Sequence, residues 1–202
     1  ATVRTKVTPT NPQTAAQQTA RGILASLSAS WRNLKETDRI GWNSAVDGFL
    51  KTNIFGDTYT PSGKNLYVGL NSNLLSAGQV ANSVPPVSVE LQPYILDSAA
   101  LDITANTIAL ASANGFPDAS FTVVYQATKP FSAGRFNFSG QYASFHKVST
   151  GTIPTAIALY DAYIAKFGVP VEGTKISFRV FILSNASGQK SVESVATAVV
   201  VA

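Results

Sequence analysis

The spacing of the apolar residues changes partway along the chain, and this change limits the possible folds more than any other feature. Up to about residue 80 the apolar residues recur every three or four positions, which is typical of amphipathic helices. From Val87 onward they alternate with polar residues, which is typical of half-buried strands. Residues 76–86, rich in Ser, Ala, Asn and Pro, separate the two patterns. The sequence therefore predicts an α+β fold with a domain boundary in this linker.

Three helices are predicted in residues 14–80. Pro12 precedes the first of them, at a place where its missing N–H costs no hydrogen bond. Thr37 can cap the second helix, and Ser62 can cap the third, which Gly78 is placed to end. The predicted bounds are Thr14 to Leu34, Thr37 to Thr52 and Ser62 to Gly78, with a loop over residues 53–60.

Residues 87–202 are predicted to form a β-sandwich. Turn signals such as Asn114-Gly115 and Ser187-Gly188 separate short alternating runs, as in immunoglobulin-like or fibronectin-III-like domains. One inserted helix, with its apolar residues on one face, interrupts the series over residues 154–167. The predicted strands contain Val87 to Leu91, Leu101 to Ile103, Ile108 to Leu110, Phe121 to Tyr125, Phe136 to Phe138, Ile176 to Ile182 and Val192 to Val201.

Residues 1–13 are predicted to form an extended arm. Val3 and Val7 are its only large apolar side chains, too few to offset a cost of about 1–2 kcal/mol per residue for fixing the backbone. We therefore expect the arm to become ordered only in an assembly. It contains no apolar segment of the kind found in signal peptides, and a start at Ala1 fits the removal of an initiator Met.

The surface that this chain can present is weakly charged. Asp, Glu, Lys and Arg make up 13% of the 202 residues, against a usual share of about 25%. Such a surface suits a subunit that packs against copies of itself or against other proteins, and it equally suits a secreted protein. The chain contains no Cys, so its stability must come from packing or assembly and not from disulfides.

The net positive charge comes from the first part of the chain. Residues 1–80 contain eight Lys and Arg against four Asp and Glu, which accounts for the whole formal net charge of +4. This asymmetry indicates that the arm and the helices meet an acidic surface or nucleic acid. The alternative is a solvated basic region, because the charges are scattered singly and do not form the stripe of a dedicated phosphate site.

Residue types that carry catalysis are scarce. His146 is the one histidine, and no nucleophile motif accompanies it, so a structural histidine is the favoured interpretation. The carboxylates are dispersed, and neither zinc or calcium spacing nor a glycine-rich phosphate loop occurs. We therefore predict a protein that is not an enzyme, with no catalytic residue, no metal site and no cofactor.

Two groups of aromatic residues remain to be placed. Trp31 and Trp42 either anchor the core of the helical region or fill pockets between subunits, where Trp and Arg are enriched. In the second group, alternation places Phe136 and Phe138 on one face. This favours the sandwich core over a base-stacking platform, which would need basic neighbours.

Several motifs, specific as a set, are spread over most of the chain. They are Pro9-x-Asn11-Pro12-x-Thr14, Gln17-Gln18, Arg21, Trp31-Arg32-x-Leu34, Arg39, Trp42, Ser62-Gly63-Lys64-Asn65-Leu66-Tyr67, Thr128-Lys129-Pro130-Phe131-Ser132-Ala133-Gly134 and Tyr163-x-x-x-Phe167-Gly168. As a set they resemble a family of virion structural proteins encoded in tailed-phage and prophage gene clusters. The resemblance implies a virion component, and no catalytic residue comes with it.

These features together predict a non-enzymatic structural component of a bacteriophage virion, a capsid-associated decoration, cement or head protein made in the bacterial host cytoplasm. We expect its partners to be capsid or connector subunits and copies of itself, with a weak contact of the basic arm to nucleic acid and none to membrane. The alternative is a secreted or surface adhesion module that binds glycan or protein through the sandwich. The predicted interface residues are Arg21, Leu24, Leu27, Trp31, Arg32, Arg39 and Trp42.

Overall fold

The computed structural model describes residues 11–149 and 151–202. The predicted arm lies outside these residues except for its last three positions. In chain order the elements are α1 Ala15–Asn33, α2 Glu36–Ser44, β1 Lys51–Thr52, β2 Thr58–Tyr59, α3 Gly63–Ser76, β3 Leu96–Asp102, β4 Thr107–Ser112, β5 Phe121–Ala127, β6 Ala143–Val148, α4 Ala156–Phe167, β7 Lys175–Ser184 and β8 Ser194–Val201.

The three predicted helices of the first part form, and local capping sets where two of them begin. The Thr14 hydroxyl accepts from the N–H of Gln17 at 3.4 Å, while the Gln17 side chain accepts from the N–H of Thr14 at 3.3 Å. This reciprocal pair is a capping box. The Ser62 hydroxyl accepts from the N–H of Asn65 at 3.3 Å and so caps α3. The second helix is shorter than predicted, because it tightens into a 3₁₀ turn over Ala45–Gly48 and ends there.

The loop predicted over residues 53–60 is the tip and second strand of a short hairpin. Strands β1 and β2 pair Lys51 with Tyr59 and Thr52 with Thr58. A ladder of two residue pairs is too short to leave a periodic pattern in the sequence, which is why only a loop was predicted there.

Six strands form one mixed sheet in the order β4-β3-β8-β7-β5-β6. Neighbouring strands are antiparallel except for β3 and β8. In a flat sheet the two edge strands would lie about 24 Å apart, yet α4 packs against both of them, and a helix is only about 10 Å wide. The sheet is therefore curled into a β-sandwich-like domain with α4 as its inserted helix. The predicted α+β fold is confirmed.

One apolar core fills the sandwich. Because successive residues of a strand point to opposite faces, Ile176, Phe178 and Val180 of β7 all point inward, and they are buried together with the apolar face of α4. Tyr163 of α4 is fully buried, and its hydroxyl donates to the carbonyl oxygen of Thr128 at 3.1 Å. Burial raises the pKa of Tyr163, so this hydroxyl stays protonated and keeps its bond.

Two runs that were predicted as strands are irregular in the structure. Residues 87–91 pass beside the turn between β7 and β8, where the N–H of Val89 donates to the side chain of Gln189 at 3.1 Å instead of to a neighbouring strand. Pro86, just before this run, removes a backbone donor. Residues 136–138 belong to the connection between β5 and β6 and form no strand. Alternation alone was misleading in both places.

The helical region packs directly against the sandwich. The Asn73 side chain donates to the carbonyl oxygen of Gly188 at 2.8 Å, and the Asn82 side chain donates to another carbonyl of the same turn at 2.7 Å. Gly188 has a φ of +72°, and a Cβ there would collide with the carbonyl oxygen of Leu70. Residues 76–86 are largely irregular, as predicted for a linker, but the bond from Asn82 ties them to the sandwich.

Candidate interaction surface

His146, the candidate base, lies on a strand beside an aromatic ring. It pairs in the sheet with Tyr125, and the centroids of the two rings are 6.0 Å apart. Burial lowers the pKa of His146. No carboxylate within residues 11–149 and 151–202 forms an ion pair with the imidazole. A general base needs a partner that orients it, and the neighbour that the structure shows for the imidazole is an aromatic ring.

The acidic residues are dispersed in space as well as in sequence. In the part of the chain that the structure describes, no three His, Asp or Glu side chains lie close enough to hold a metal ion. Glu193 is paired with Arg179 at 2.6 Å and with Lys190. Burial by itself would raise the pKa of Glu193, but the bond to Lys190 and the charges of Lys190 and Arg179 lower it overall. A carboxylate held ionised in this way is no general acid at neutral pH.

Two of the predicted interface residues lie in the core of the helical region. Trp42 is 0% exposed, its indole N–H donates to the carbonyl oxygen of Ser83 at 2.7 Å, and its ring meets Tyr67 edge-on at 5.2 Å. Leu27 is buried in the same cluster. Because their own chain already covers them, neither can contact another subunit. The interface prediction is wrong for these two residues, and the alternative of an intrachain core holds for Trp42.

Trp31 and Arg39 are partly covered by their own chain. The ring of Trp31 lies 5.4 Å from that of Tyr67 at the edge of the same core. Arg39 forms an ion pair with Glu36, one helical turn earlier. Each side chain keeps a portion that is accessible from outside.

Arg21, Leu24 and Arg32 are exposed along α1, so a partner could reach all three. The first two turns of this helix, before Ile23, contain no buried residue. Among residues 11–149 and 151–202, Arg21 donates only to the side chain of Asn11, at 3.2 Å. The exposure of α1 does not make it a membrane segment. Among the described residues, no helix is both long enough and apolar enough to cross a bilayer.

The tip of the β1–β2 hairpin presents two strongly exposed apolar side chains. Ile54 is 93% exposed and Phe55 is 83% exposed. The Asn53 side-chain oxygen accepts from the N–H of Phe55 at 2.8 Å and from the N–H of Asp57 at 3.0 Å. Gly56 has a φ of +92°, which side-chain-bearing residues rarely adopt. These contacts fix the shape of the tip before any partner arrives.

Further apolar and basic side chains lie at the base of the hairpin and on the helices beside it. Leu50 and Tyr59 are exposed beside the two hairpin strands. Leu24 of α1 shares a groove with Tyr59, Lys51 and Lys64. We call this set the hairpin surface, and it consists of Leu24, Leu50, Lys51, Ile54, Phe55, Tyr59 and Lys64. Of the predicted interface residues, Leu24 alone belongs to it.

Ile54 and Phe55 are absent from the predicted interface residues, although the sequence contains a signal for them. Two large apolar side chains stand between Asn53 and the pair Gly56-Asp57, at turn positions where polar residues are usual. An apolar residue in a turn has no strand or helix face that leads to a core. Its exposure therefore indicates a contact surface.

No protein-family model matches the chain, and no curated protein matches it either. A solved structure, the crystal structure of an Fn3-like protein from Clostridium thermocellum, aligns with 25% sequence identity over 56% of this chain and 95% of that one, with a TM-score of 0.34. The strand order described above, and not this likeness, defines the sandwich.

Proposed function

We propose that this protein is a non-catalytic structural subunit of a bacteriophage particle, associated with the capsid, and that it docks on neighbouring subunits through the hairpin surface. The observation that carries the proposal is the exposed pair Ile54 and Phe55 on a turn whose shape is already fixed. The family resemblance of the sequence motifs supplies the kind of assembly.

Burial of this exposed pair would favour docking strongly. Removing a side chain as large as Ile54 or Phe55 from water contributes about 1.5–3 kcal/mol, and aromatic anchors are common hot spots of protein interfaces. Lys51 and Lys64 make no ion pair within the described ranges, so they suit an acidic rim on the partner, where charges mainly speed association.

The geometry of the tip also lowers the cost of docking. The bonds of Asn53 and the backbone of Gly56 hold the turn in one shape, so association orders fewer groups than it would with a flexible loop. The exposed first turns of α1 offer a second contact surface, and Arg21 and Arg32 are exposed along the same helix. A subunit held at two places gains affinity through effective concentration.

Phage particles produced in the bacterial host test the proposal. Tagged wild-type, Phe55→Ala and Phe136→Ala chains would each be supplied during particle production, and copies per particle would be counted by quantitative mass spectrometry. We expect a fixed copy number for the wild type and a loss of about tenfold or more for Phe55→Ala. Phe136→Ala is the matched control, because it removes a ring that is 86% exposed but lies in the sandwich.

The copy number also locates the subunit in the particle. Hundreds of copies would indicate decoration of the shell. About a dozen copies or fewer would indicate a position at a vertex or in the tail.

Absence of the wild-type chain from washed particles would contradict the proposed function. Equal incorporation of the wild type and Phe55→Ala would contradict docking through the hairpin surface.

A further inference from the structure

The connection between β5 and β6 folds over the outer face of the sandwich and forms a cleft there. Phe131 in this connection is joined to Lys175 of β7 by two backbone hydrogen bonds of 2.9 and 2.8 Å. The hydroxyl of Tyr142, near the end of the connection, lies 2.7 Å from that of Ser177. The cleft has a volume of about 440 Å³. We call it the aromatic–cation cleft, and its main residues are Arg135, Phe136, Phe138, Tyr142, Lys175 and Thr197.

An exposed aromatic ring forms one wall of the cleft. Phe136 is 86% exposed, and the Lys175 ammonium nitrogen lies over its ring, 4.6 Å from the centroid. Phe138, which was predicted to share a face with Phe136, is buried, and its ring lies 5.8 Å from that of Phe131. The prediction that both rings belong to the sandwich core is therefore wrong for Phe136. Its ring is available for stacking with a ligand.

Two cations of the cleft have no carboxylate partner. Neither Arg135 nor Lys175 forms an ion pair in the described part of the chain, and the residues outside it, 1–10 and 150, include no Asp or Glu. Glu193, on the same face, is already paired with Arg179. The cleft therefore keeps two uncompensated positive charges beside an open aromatic ring.

The lining of the cleft matches one class of ligand. Phe136 offers an apolar face, Tyr142 and Thr197 offer hydroxyls, and Arg135 and Lys175 offer positive charge. A ligand that complements all three has an apolar face, hydroxyl groups and an acidic group, which is the chemistry of an acidic sugar. We propose that the aromatic–cation cleft is a binding site for an acidic saccharide.

The same geometry disfavours two other ligands. Single-stranded nucleic acid needs a track of cations along its phosphates, whereas here the next cation along β7, Arg179, is neutralised by Glu193. An extended peptide commonly binds by adding a strand to an open sheet edge, whereas β7 and β8 are paired on both sides within the sheet.

This site is separate from the hairpin surface and does not depend on the proposed function. The cleft lies near Lys175, at the start of β7, and the helical region packs against the turn that follows Ser184, at the end of that strand. The ten residues of β7 span roughly 30 Å. A subunit docked through the hairpin surface would thus keep the cleft accessible.

Isothermal titration of the full chain tests the site. The probes are hexagalacturonate and a heparin hexasaccharide, with maltohexaose as the neutral control of equal length and hexathymidylate as the nucleic-acid control, all at about 0.15 M salt to screen non-specific attraction. We expect one of the two acidic saccharides to bind at least about tenfold more tightly than either control. The better of the two tells whether carboxylate or sulfate is preferred.

Matched variants connect the binding to the cleft. Phe136→Ala should weaken the binding of the acidic saccharide by about tenfold or more, because stacking on the ring is lost, and Lys175→Gln should weaken it as well. Phe55→Ala and Lys64→Gln remove an equally exposed ring and an equal charge outside the cleft, and they should bind as the wild type does. Failure of both acidic probes, tighter binding of hexathymidylate, or equal losses in the control variants would overturn the proposal.

Discussion

The helical region and the sandwich bury their apolar residues to different degrees. In the sandwich the inward residues of the strands and the covering face of α4 close into one core. The helical region has a smaller core around Trp42 and leaves the first turns of α1 and the hairpin surface uncovered. We infer that the sandwich is stable without a partner, whereas the helical region presents the apolar surface that a partner would cover.

Trp42→Ala should have the largest effect on this difference. It removes a fully buried indole from the smaller core, and substitutions of this kind cost about 3–5 kcal/mol of stability. We expect the amides of α1, α2 and α3 to lose protection in hydrogen exchange while those of β7 keep theirs, because β7 belongs to the other core.

Trp31→Ala is the matched control for that experiment. Trp31 contacts the same Tyr67 ring at the edge of the core and is only partly buried. Trp31→Ala should therefore reduce the protection of the helical amides less than Trp42→Ala does. If Trp42→Ala removed protection from β7 as much as from the helices, the two regions would unfold as one unit. The inference that the sandwich is stable independently of the helical region would then be wrong.

Gly188→Ala should have the next largest effect, because it acts at the junction of the two regions. Its Cβ would strike the carbonyl of Leu70 in addition to straining the backbone. Gly173→Ala, with a φ of +75° and open space around it, introduces the strain alone. Urea denaturation should show a loss of at least about 2 kcal/mol for Gly188→Ala and about 1 kcal/mol for Gly173→Ala. Equal losses would mean that the close contact with Leu70 contributes nothing to stability.

The smallest effect is expected from His146, inside the sandwich. Burial lowers the pKa of His146 from its ordinary 6.5, so the folded protein disfavours the charged form. Stability should be complete above pH 6.5, and it should fall as the pH drops through 6.5 toward the lowered value, because the unfolded chain takes up the proton first. His146→Gln should flatten this part of the curve of unfolding free energy against pH. An unchanged slope would show that another group causes it.

Those parts of the fold that depend on neighbouring residues could be predicted from the sequence. The start of α1 follows from Thr14 and Gln17, three positions apart, and the end of α4 follows from Gly168, whose φ is +84°. In β7 every second residue from Ile176 to Ile182 faces the core, and this alternation is visible in the sequence. These local signals suffice for the α+β class and the inserted helix.

The strand predictions that were wrong concern segments whose structure depends on pairing with distant parts of the chain. Residues 87–91 alternate like a strand, yet β7 already has β5 on one side and β8 on the other, so the run has no edge to join there. Phe136 and Phe138 have the spacing of a shared strand face, but they lie in a loop that buries one ring and exposes the other. Alternation shows which residues could pair, and not whether a partner strand is free.

The candidate site shows the same limit. An apolar residue on a helix has the same pattern whether its own chain or another subunit covers it, so the sequence left both alternatives open for Trp42. The carbonyl that accepts its indole N–H belongs to Ser83, 41 positions away, and no local pattern identifies such a partner. The two strands of the hairpin could not be predicted for a different reason, because a ladder of two residue pairs leaves too little periodicity in the sequence.

The parallel pairing of β3 and β8 determines how the sandwich would respond to mechanical force. Leu101 lies beside Val200 and Asp102 beside Val201, so the chain enters the sandwich at one end of this strand pair and leaves it at the other. A pull between the helical region and the end of β8 would shear the two strands along their length, and their hydrogen bonds would have to break together. We expect the contact of the helical region with the turn at Gly188 to yield before the sandwich does.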